Sequence, residues 1–354
     1  MVTTRDFWRG RRVLVTGHTG FKGAWLALWL ESLGAEVTGL SLAPPGEPNL
    51  FTLARVAGGV RSIECDIRDF DAVSRVVAET HPDFLFHLAA QSLVRYSYAE
   101  PMETFATNVL GTVHLLEAMR RLGGRAAAVI VTSDKCYENR GSHAGYRESD
   151  PLGGKDPYSA SKACAEIVTA SYRHSFFAHG PLAVATARAG NVIGGGDWAA
   201  DRLVPDMVRA LQRREEIVLR NPQAVRPWQH VLEPLAGYLL LARRLWEAPA
   251  SFAGAWNFGP AADDALPVQE LVARFLSRWG SGTWRVSPDP ARPEAETLRL
   301  DASRAVHHLG WQRQLDINGA LDWTADWYRA WVGGADPRVT TLAQIAEYQK
   351  RVNA

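Results

Sequence analysis

Each shortage in this chain of 354 residues closes off a class of function. There are three cysteines, Cys65, Cys136 and Cys164, far apart and without the short spacing of metal-ligand pairs. That argues against a disulfide framework or a cysteine-held metal, and fits free thiols in a reducing compartment. No apolar run is long enough to cross a bilayer, and residues 1–6 hold no signal-peptide core. A cytoplasmic protein without a membrane partner is expected. Charge of one sign is also missing: the net value is +1, which gives no reason to expect nucleic acid as a partner. Repeats and low-complexity linkers are absent. What is present is 47% hydrophobic and 22% charged residues, enough for a substantial core and two packed lobes.

The first half alternates short apolar runs with amphipathic stretches. Residues 12–16 read as a buried strand, 17–23 as a turn and 24–33 as a helix closed by Gly34. Further strands are expected at 36–40, 60–65, 83–88, 126–132 and 182–188. Helices are expected near 71–80, as one long segment over 105–122, and around Tyr158. This is the α/β pattern of a doubly wound parallel sheet, the Rossmann arrangement. After Gly190 the segments shorten and become richer in Pro, Arg and Trp. Residues 1–190 are therefore expected to bind a dinucleotide. Residues 191–354 form mainly a smaller C-terminal substrate-binding lobe, interleaved with the last sheet elements. Trp323, Trp327 and Trp331 recur every four residues, one face of a helix, and read as core packing.

Gly17-His18-Thr19-Gly20-Phe21-Lys22-Gly23 lies between a predicted strand and a predicted helix. Its glycines allow a tight turn, and a helix N-terminus offers free N–H groups to a pyrophosphate. The spacing is Gly-x-x-Gly-x-x-Gly rather than the common Gly-x-Gly-x-x-Gly. An acidic residue is expected about 20 positions on, yet the second strand ends Gly39-Leu40-Ser41-Leu42. With no arginine there for a 2′-phosphate, NAD is favoured over NADP. Asp66 and Ile67, after the third strand, are candidate adenine contacts: a carboxylate for the exocyclic amine and an apolar cover.

Tyr158 and Lys162 are four residues apart, and a helix puts both on one face. A lysine ammonium beside a phenol favours the phenolate, which takes a proton from a sugar hydroxyl.

With the glycine turn and this pair, the chain resembles the extended short-chain dehydrogenases/reductases, and more closely their nucleotide-sugar 4,6-dehydratases. The resemblance is carried by Phe86-His87-Leu88-Ala89-Ala90-Gln91, Asn108-Val109-Leu110-Gly111-Thr112, Thr132-Ser133-Asp134-Lys135 and the Tyr158 stretch. Gly23-Ala24-Trp25-Leu26, Gly194-Gly195-Gly196-Asp197-Trp198 and Arg226-Pro227-Trp228-Gln229-His230-Val231 resemble the members acting on CDP-glucose. The likeness extends to Thr341-Leu342-Ala343-Gln344-Ile345. Two departures stand out. Members acting on dTDP-glucose carry a glutamate where this chain has Lys135, and Arg292-Pro293-Glu294-Ala295 lacks the histidine of the CDP-type Pro-His-Glu-Ala.

The resemblance implies conversion of CDP-D-glucose to its 4-keto-6-deoxy product through bound NAD, by a homodimer that pairs the 105–122 and Tyr158 helices. It implies cofactor contacts at residues 17–23, Asp66, Ile67, Leu88, Ala89, Ala90, Asn108, Thr132, Tyr158 and Lys162. Tyr158 and Lys162 would handle the C4 hydroxyl, with Ser133 hydrogen-bonded to the C4 oxygen. Asp134 would be the acid for the C6 oxygen. Lys135 would be the C5 base, or would stay charged and stabilise the enolate, or would only pair with a phosphate. Gln91, Asn191, Arg202, Arg220 and Arg226 are expected on the substrate. His230 either touches the pyrimidine or is a buried structural residue. The rival activities are a 4-epimerase on the same scaffold and a non-catalytic NAD sensor.

Overall fold

The computed structural model describes residues 5–44, 46–141, 145–261, 264–287 and 298–353. The Arg292–Ala295 stretch lies outside them. Six strands of the first half are β1 (Arg12–Thr16), β2 (Glu36–Ser41), β3 (Arg61–Glu64), β4 (Phe84–His87), β5 (Ala126–Val131) and β6 (Leu182–Ala189). Later come β7 (Asn191–Ile193), β8 (Ile217–Leu219), β9 (Val225–His230), β10 (Gly254–Phe258), β11 (Ala265–Pro267) and β12 (Trp284–Val286). The main sheet has the order β10-β6-β5-β4-β1-β2-β3, with every pair parallel. Chain order reverses between β1 and β4, which opens a crevice at the C-terminal strand ends where ligands bind in such sheets. Buried on both faces, β4, β5 and β6 can be almost wholly apolar.

The glycine turn enters the Phe21–Ser32 helix directly, and Gly20 gives it no side-chain cap. Three N–H groups at that end are left for a ligand or solvent. The helix carrying Tyr158 runs Pro157–Tyr172. It starts where Asp156 caps it, accepting from Ser159 N at 2.9 Å, with Pro157 fixing the first turn.

The single helix expected over 105–122 is three pieces: Pro101–Phe105, a π-turn at Ala106–Leu110, and Gly111–Leu122. The cause is Asn108. Its amide donates to Gln91 O at 2.9 Å and to Ser161 Oγ at 2.8 Å, which draws one residue of the helix inward. Other boundaries fall within a few residues of expectation.

After β6 the chain leaves the main sheet and returns to it twice. The Leu232–Glu247 helix packs in the same core as β5 and β6, and β10 adds to β6. The chain before the first return and after the second forms two small sheets, β11-β9-β7 and β12-β8. The tryptophan stripe falls on the Ile317–Val332 helix as core packing. Trp327 is fully buried and donates to Thr341 Oγ1 at 2.9 Å, while Trp331 meets Trp198 edge-on at 4.8 Å. No helix among the described residues is long and apolar enough to cross a membrane. Replacing Trp327 by alanine is expected to cost about 3–5 kcal/mol, read as a lower urea midpoint at unchanged slope.

Candidate active site

The crevice is lined by three chain segments that meet at the ends of β1, β4 and β5. On the β1 side, Gly17 has φ 76° and lies so close to Leu88 and Ala89 that a Cβ would sit 2.6 Å from Ala89 N. A Cβ on Gly23 would lie 2.0 Å from Gly17 O, so only glycine fits. Thr16 Oγ1 accepts from Ala89 N at 3.1 Å and is bonded to His87 Nδ1 at 2.7 Å, pinning the β1 and β4 ends together. His18 is buried over Gly39, against Phe51, with Nε2 bonded to Ser62 Oγ at 2.7 Å. It shapes the wall of the turn. Thr19 and Ser41 hydroxyls join at 2.7 Å at the β2 end, where the acidic residue is missing.

Beyond the end of β3, Ile67 is buried against Gly111. Asp66 accepts from Arg68 through its backbone N–H (2.8 Å), Nε (2.9 Å) and Nη2 (2.6 Å), and these bonds hold its carboxyl below the ordinary value.

The reactive cluster sits at the β5 end. Ser133 caps a short turn, Asp134–Cys136, donating to Asp134 Oδ1 at 2.9 Å and accepting from Lys135 N at 3.2 Å. Lys135 Nζ lies 3.8 Å from Asp134 Oδ1, with a third of its side chain exposed. Tyr158, Lys162, Ser133 and Asp134 are all buried. Lys162 Nζ donates to Val131 O at 3.4 Å, a long contact.

Burial sets the electrostatics here. It pushes the Tyr158 phenol up to about 12, opposed chiefly by the neighbouring Ser133 hydroxyl. It pulls Lys162 down to about 8, with Glu166 the main opposing charge. Burial therefore works against the phenolate that an adjacent ammonium favours, because a dry site penalises both ionised forms. Lys22, from the glycine turn, joins this group. Burial and Arg202 lower it to about 8, while Asp134 and Asp197 oppose the fall.

At the mouth, Arg202 donates to Asp197 Oδ2 at 3.0 Å and Ser92 Oγ at 3.4 Å. Arg220 and Arg95 both reach Asp201 Oδ1, at 2.9 and 3.2 Å. Asn191 and Arg226 lie on adjoining strands of the small sheet, β7 and β9. Gln91 is committed to the loop: its amide donates to Thr104 Oγ1 at 2.8 Å, and its N–H to Asn108 Oδ1 at 2.9 Å. His230 is a correction. It is fully buried between Trp25 (5.9 Å) and Trp323 (5.7 Å), a packing position with no surface for a pyrimidine.

Several partners escaped the sequence reading. Asp197, Asp201 and Ser92 come from loops, and Arg95 from the short Val94–Ala99 helix, and no local pattern announces their meeting. Glu166 is different: it stands four residues beyond Lys162 and carried a signal in that spacing. Its Oε1 accepts from Thr132 Oγ1 at 2.5 Å and its Oε2 from Arg188 Nη2 at 2.8 Å.

A parallel sheet of this order, with an uncapped glycine turn opposite a buried Tyr-x-x-x-Lys pair, defines the short-chain dehydrogenase/reductase class. Within that class, residues 14–322 match the model of the GDP-mannose 4,6 dehydratase family, to which the chain belongs. It is 47% identical to a CDP-glucose 4,6-dehydratase of Salmonella typhimurium, over 97% of this chain and 98% of that protein. It is 31% identical to a dTDP-glucose 4,6-dehydratase of Streptomyces antibioticus, over 90% of this chain and 92% of the relative. A dTDP-glucose 4,6-dehydratase of Streptomyces venezuelae, solved with NAD and TYD bound, superposes with TM-score 0.77 at 26% identity. That match covers 92% of this chain and 99% of the other.

Three buried histidines give the fold a testable acid limit. Burial lowers His18 to about 4, and His87 and His230 to about 3, from an ordinary value near 6.5. The unfolded chain takes up these protons below about pH 6.5 and the folded chain does not, so stability falls as pH drops through that window. Urea midpoints at pH 7.5, 6 and 5 should decline in that order, and His230→Gln should flatten the decline.

Proposed function

We propose that this protein converts CDP-D-glucose to CDP-4-keto-6-deoxy-D-glucose and water as an NAD-dependent nucleotide-sugar 4,6-dehydratase. The observation that carries this reading is the Ser133–Asp134–Lys135 turn facing a buried Tyr158 and Lys162, in a chain that matches a CDP-glucose 4,6-dehydratase end to end. The residues present fit a dinucleotide: the uncapped helix start at Gly20 suits a pyrophosphate, and no arginine stands at the β2 end to hold a 2′-phosphate. When bound, NAD supplies a hydride acceptor for C4 and a donor for C6, so the reaction has no net redox.

The chain supplies proton handling and position. Tyr158 takes the C4 hydroxyl proton, aided by its bond with Ser133 and by the charges of Lys162 and the oxidised nicotinamide. Asp134 gives a proton to the departing C6 oxygen. Lys135 acts on the C5 side, as the base that takes the C5 proton, or as the cation that holds the enolate oxygen while a water takes that proton. Arg202, Arg220, Arg226 and Asn191 bind the nucleotide half, where planar guanidinium forks suit pyrophosphate oxygens. Gly17 to Gly23, Asp66, Ile67, Leu88 to Ala90, Asn108 and Thr132 line the cofactor side. Residues 191–354 supply most of the substrate lobe.

We further place the protein in the cytoplasm as a homodimer. Met102 (86% exposed), Leu110 (53%) and Ile167 (56%) are exposed apolar side chains on the segments that would pair. Ile167→Glu should give a monomer in sedimentation velocity.

Incubation with CDP-, dTDP- and GDP-glucose should give the alkali-induced absorbance of a 4-keto product with the CDP sugar; none from any of them overturns the reading. Tyr158→Phe should keep NAD and lose about 100- to 10,000-fold in turnover. Asp134→Asn separates dehydration from 4-epimerisation, since an epimerase needs no acid at C6. For Lys135, rescue of Lys135→Met by Lys135→Arg marks a charged stabiliser, and failure of that rescue marks a base.

A further inference from the structure

A buried ion pair behind the reactive cluster takes no part in the steps above. Glu166 lies one turn beyond Lys162 on the same helix, 3% exposed, and Arg188 on β6 is 4% exposed, both by side chain. The carboxylate is fully engaged: Oε1 accepts from Thr132 Oγ1, and Oε2 accepts from Thr186 Oγ1 at 2.7 Å and Arg188 Nη2 at 2.8 Å. Arg188 Nη1 donates to Tyr137 OH at 2.6 Å, and Tyr137 OH donates to Asn257 Oδ1 at 2.8 Å. The guanidinium also lies over the Tyr137 ring at 4.8 Å, while its Nε is buried with no partner.

Stability alone is a weak reason for such a pair, because well-packed apolar residues in its place are often as stable or better. Its location supplies a stronger one. We propose that Glu166 is the counter-charge that keeps Lys162 an ammonium, and that Arg188 divides this counter-charge and so sets how strongly Lys162 holds its proton. Both act as positioning residues: Lys162 touches the reacting groups and they do not.

Lys162 has few other supports. Its one long hydrogen bond goes to a carbonyl, Val131 O. The titratable and charged groups around it are Tyr158 and Glu166 on its own helix, Asp134 and Cys136 on the turn, Lys22 from the glycine turn and His87 from β4. Lys22 is a second cation, His87 stays neutral, and burial pushes the Cys136 thiol well up. Glu166, one turn away on the same helix, is the nearest carboxylate in sequence and the main charge that favours the ammonium of Lys162. Burial draws Lys162 down and Glu166 is the largest force opposing it. Burial likewise opposes the charge on Arg188, and Glu166 outweighs it, for a net upward shift.

Two substitutions should move Lys162 in opposite directions. Glu166→Gln with Arg188→Met removes both charges, leaves neither ion buried without its partner, and should lower the lysine's titration midpoint by about one to two pH units. Arg188→Met alone leaves Glu166 to Lys162 and should raise it. The chain has only five lysines, Lys22, Lys135, Lys155, Lys162 and Lys350, so ¹³Cε-lysine NMR can follow each one, with Lys162→Met assigning the resonance. Opposite shifts, mirrored in the alkaline limb of kcat/KM, support the proposal. No shift, or shifts of the same sign, overturn it and leave the pair a scaffold. Should Arg188→Met not fold, the fall in the double variant decides alone. Only the effect on turnover rests on the dehydratase reading. Opposite NMR shifts with no sugar nucleotide consumed would sink that reading and leave this one standing.

Discussion

The cost of holding ions out of water governs this molecule. Tyr158, Lys162, Asp134, Glu166 and Arg188 lie together at one end of a sheet whose strands are otherwise apolar. In such a place an unpaired charge is expensive, so ions come with partners: Glu166 with Arg188, Asp197 with Arg202, Asp134 near Lys22 and Lys135. The same dryness makes proton transfer controllable. A phenol near 12 and an ammonium near 8 are both far from their values in water, and each responds strongly to a further charge brought alongside.

Backbone geometry makes that arrangement possible. The order of the strands reverses between β1 and β4, and the crevice this opens is where the glycine turn and the Tyr158 helix face each other. Asn108 ties the loop after β4 to the Tyr158 helix: its amide spans from Gln91 to Ser161, and the π-turn is the local distortion that lets it reach. Thr16 does the same work at the ends of β1 and β4. These bonds fix the site before any ligand arrives, so binding energy need not be spent on assembling it.

How much of this was legible depended on how local each signal was. Buried parallel strands and the glycine turn show as contiguous patterns, and their boundaries were readable to within a few residues. Tyr158 and Lys162 were legible for the same reason, as one helical turn. The break in the 101–122 helix was not, because Asn108 is pulled by residues 17 and 53 positions away. Nor was the fate of His230: its neighbours Trp25 and Trp323 are distant in sequence, and only the folded core shows it walled in. The direction of the Tyr158 shift escaped for a related reason. Spacing shows that a lysine is near a phenol, but not that both are dry.

β10 covers the flank of β6 with a strand drawn from beyond residue 250, and Asn257 on it holds Tyr137 and the carbonyl of Tyr146. The two halves are therefore stitched, not hinged. A nascent chain released at residue 190 would carry an apolar strand with its amides bare, a template for clumping with its siblings. Only when translation has passed Phe258 can the dinucleotide half hide that flank, so the catalytic end of the sheet matures late although most of it is made first.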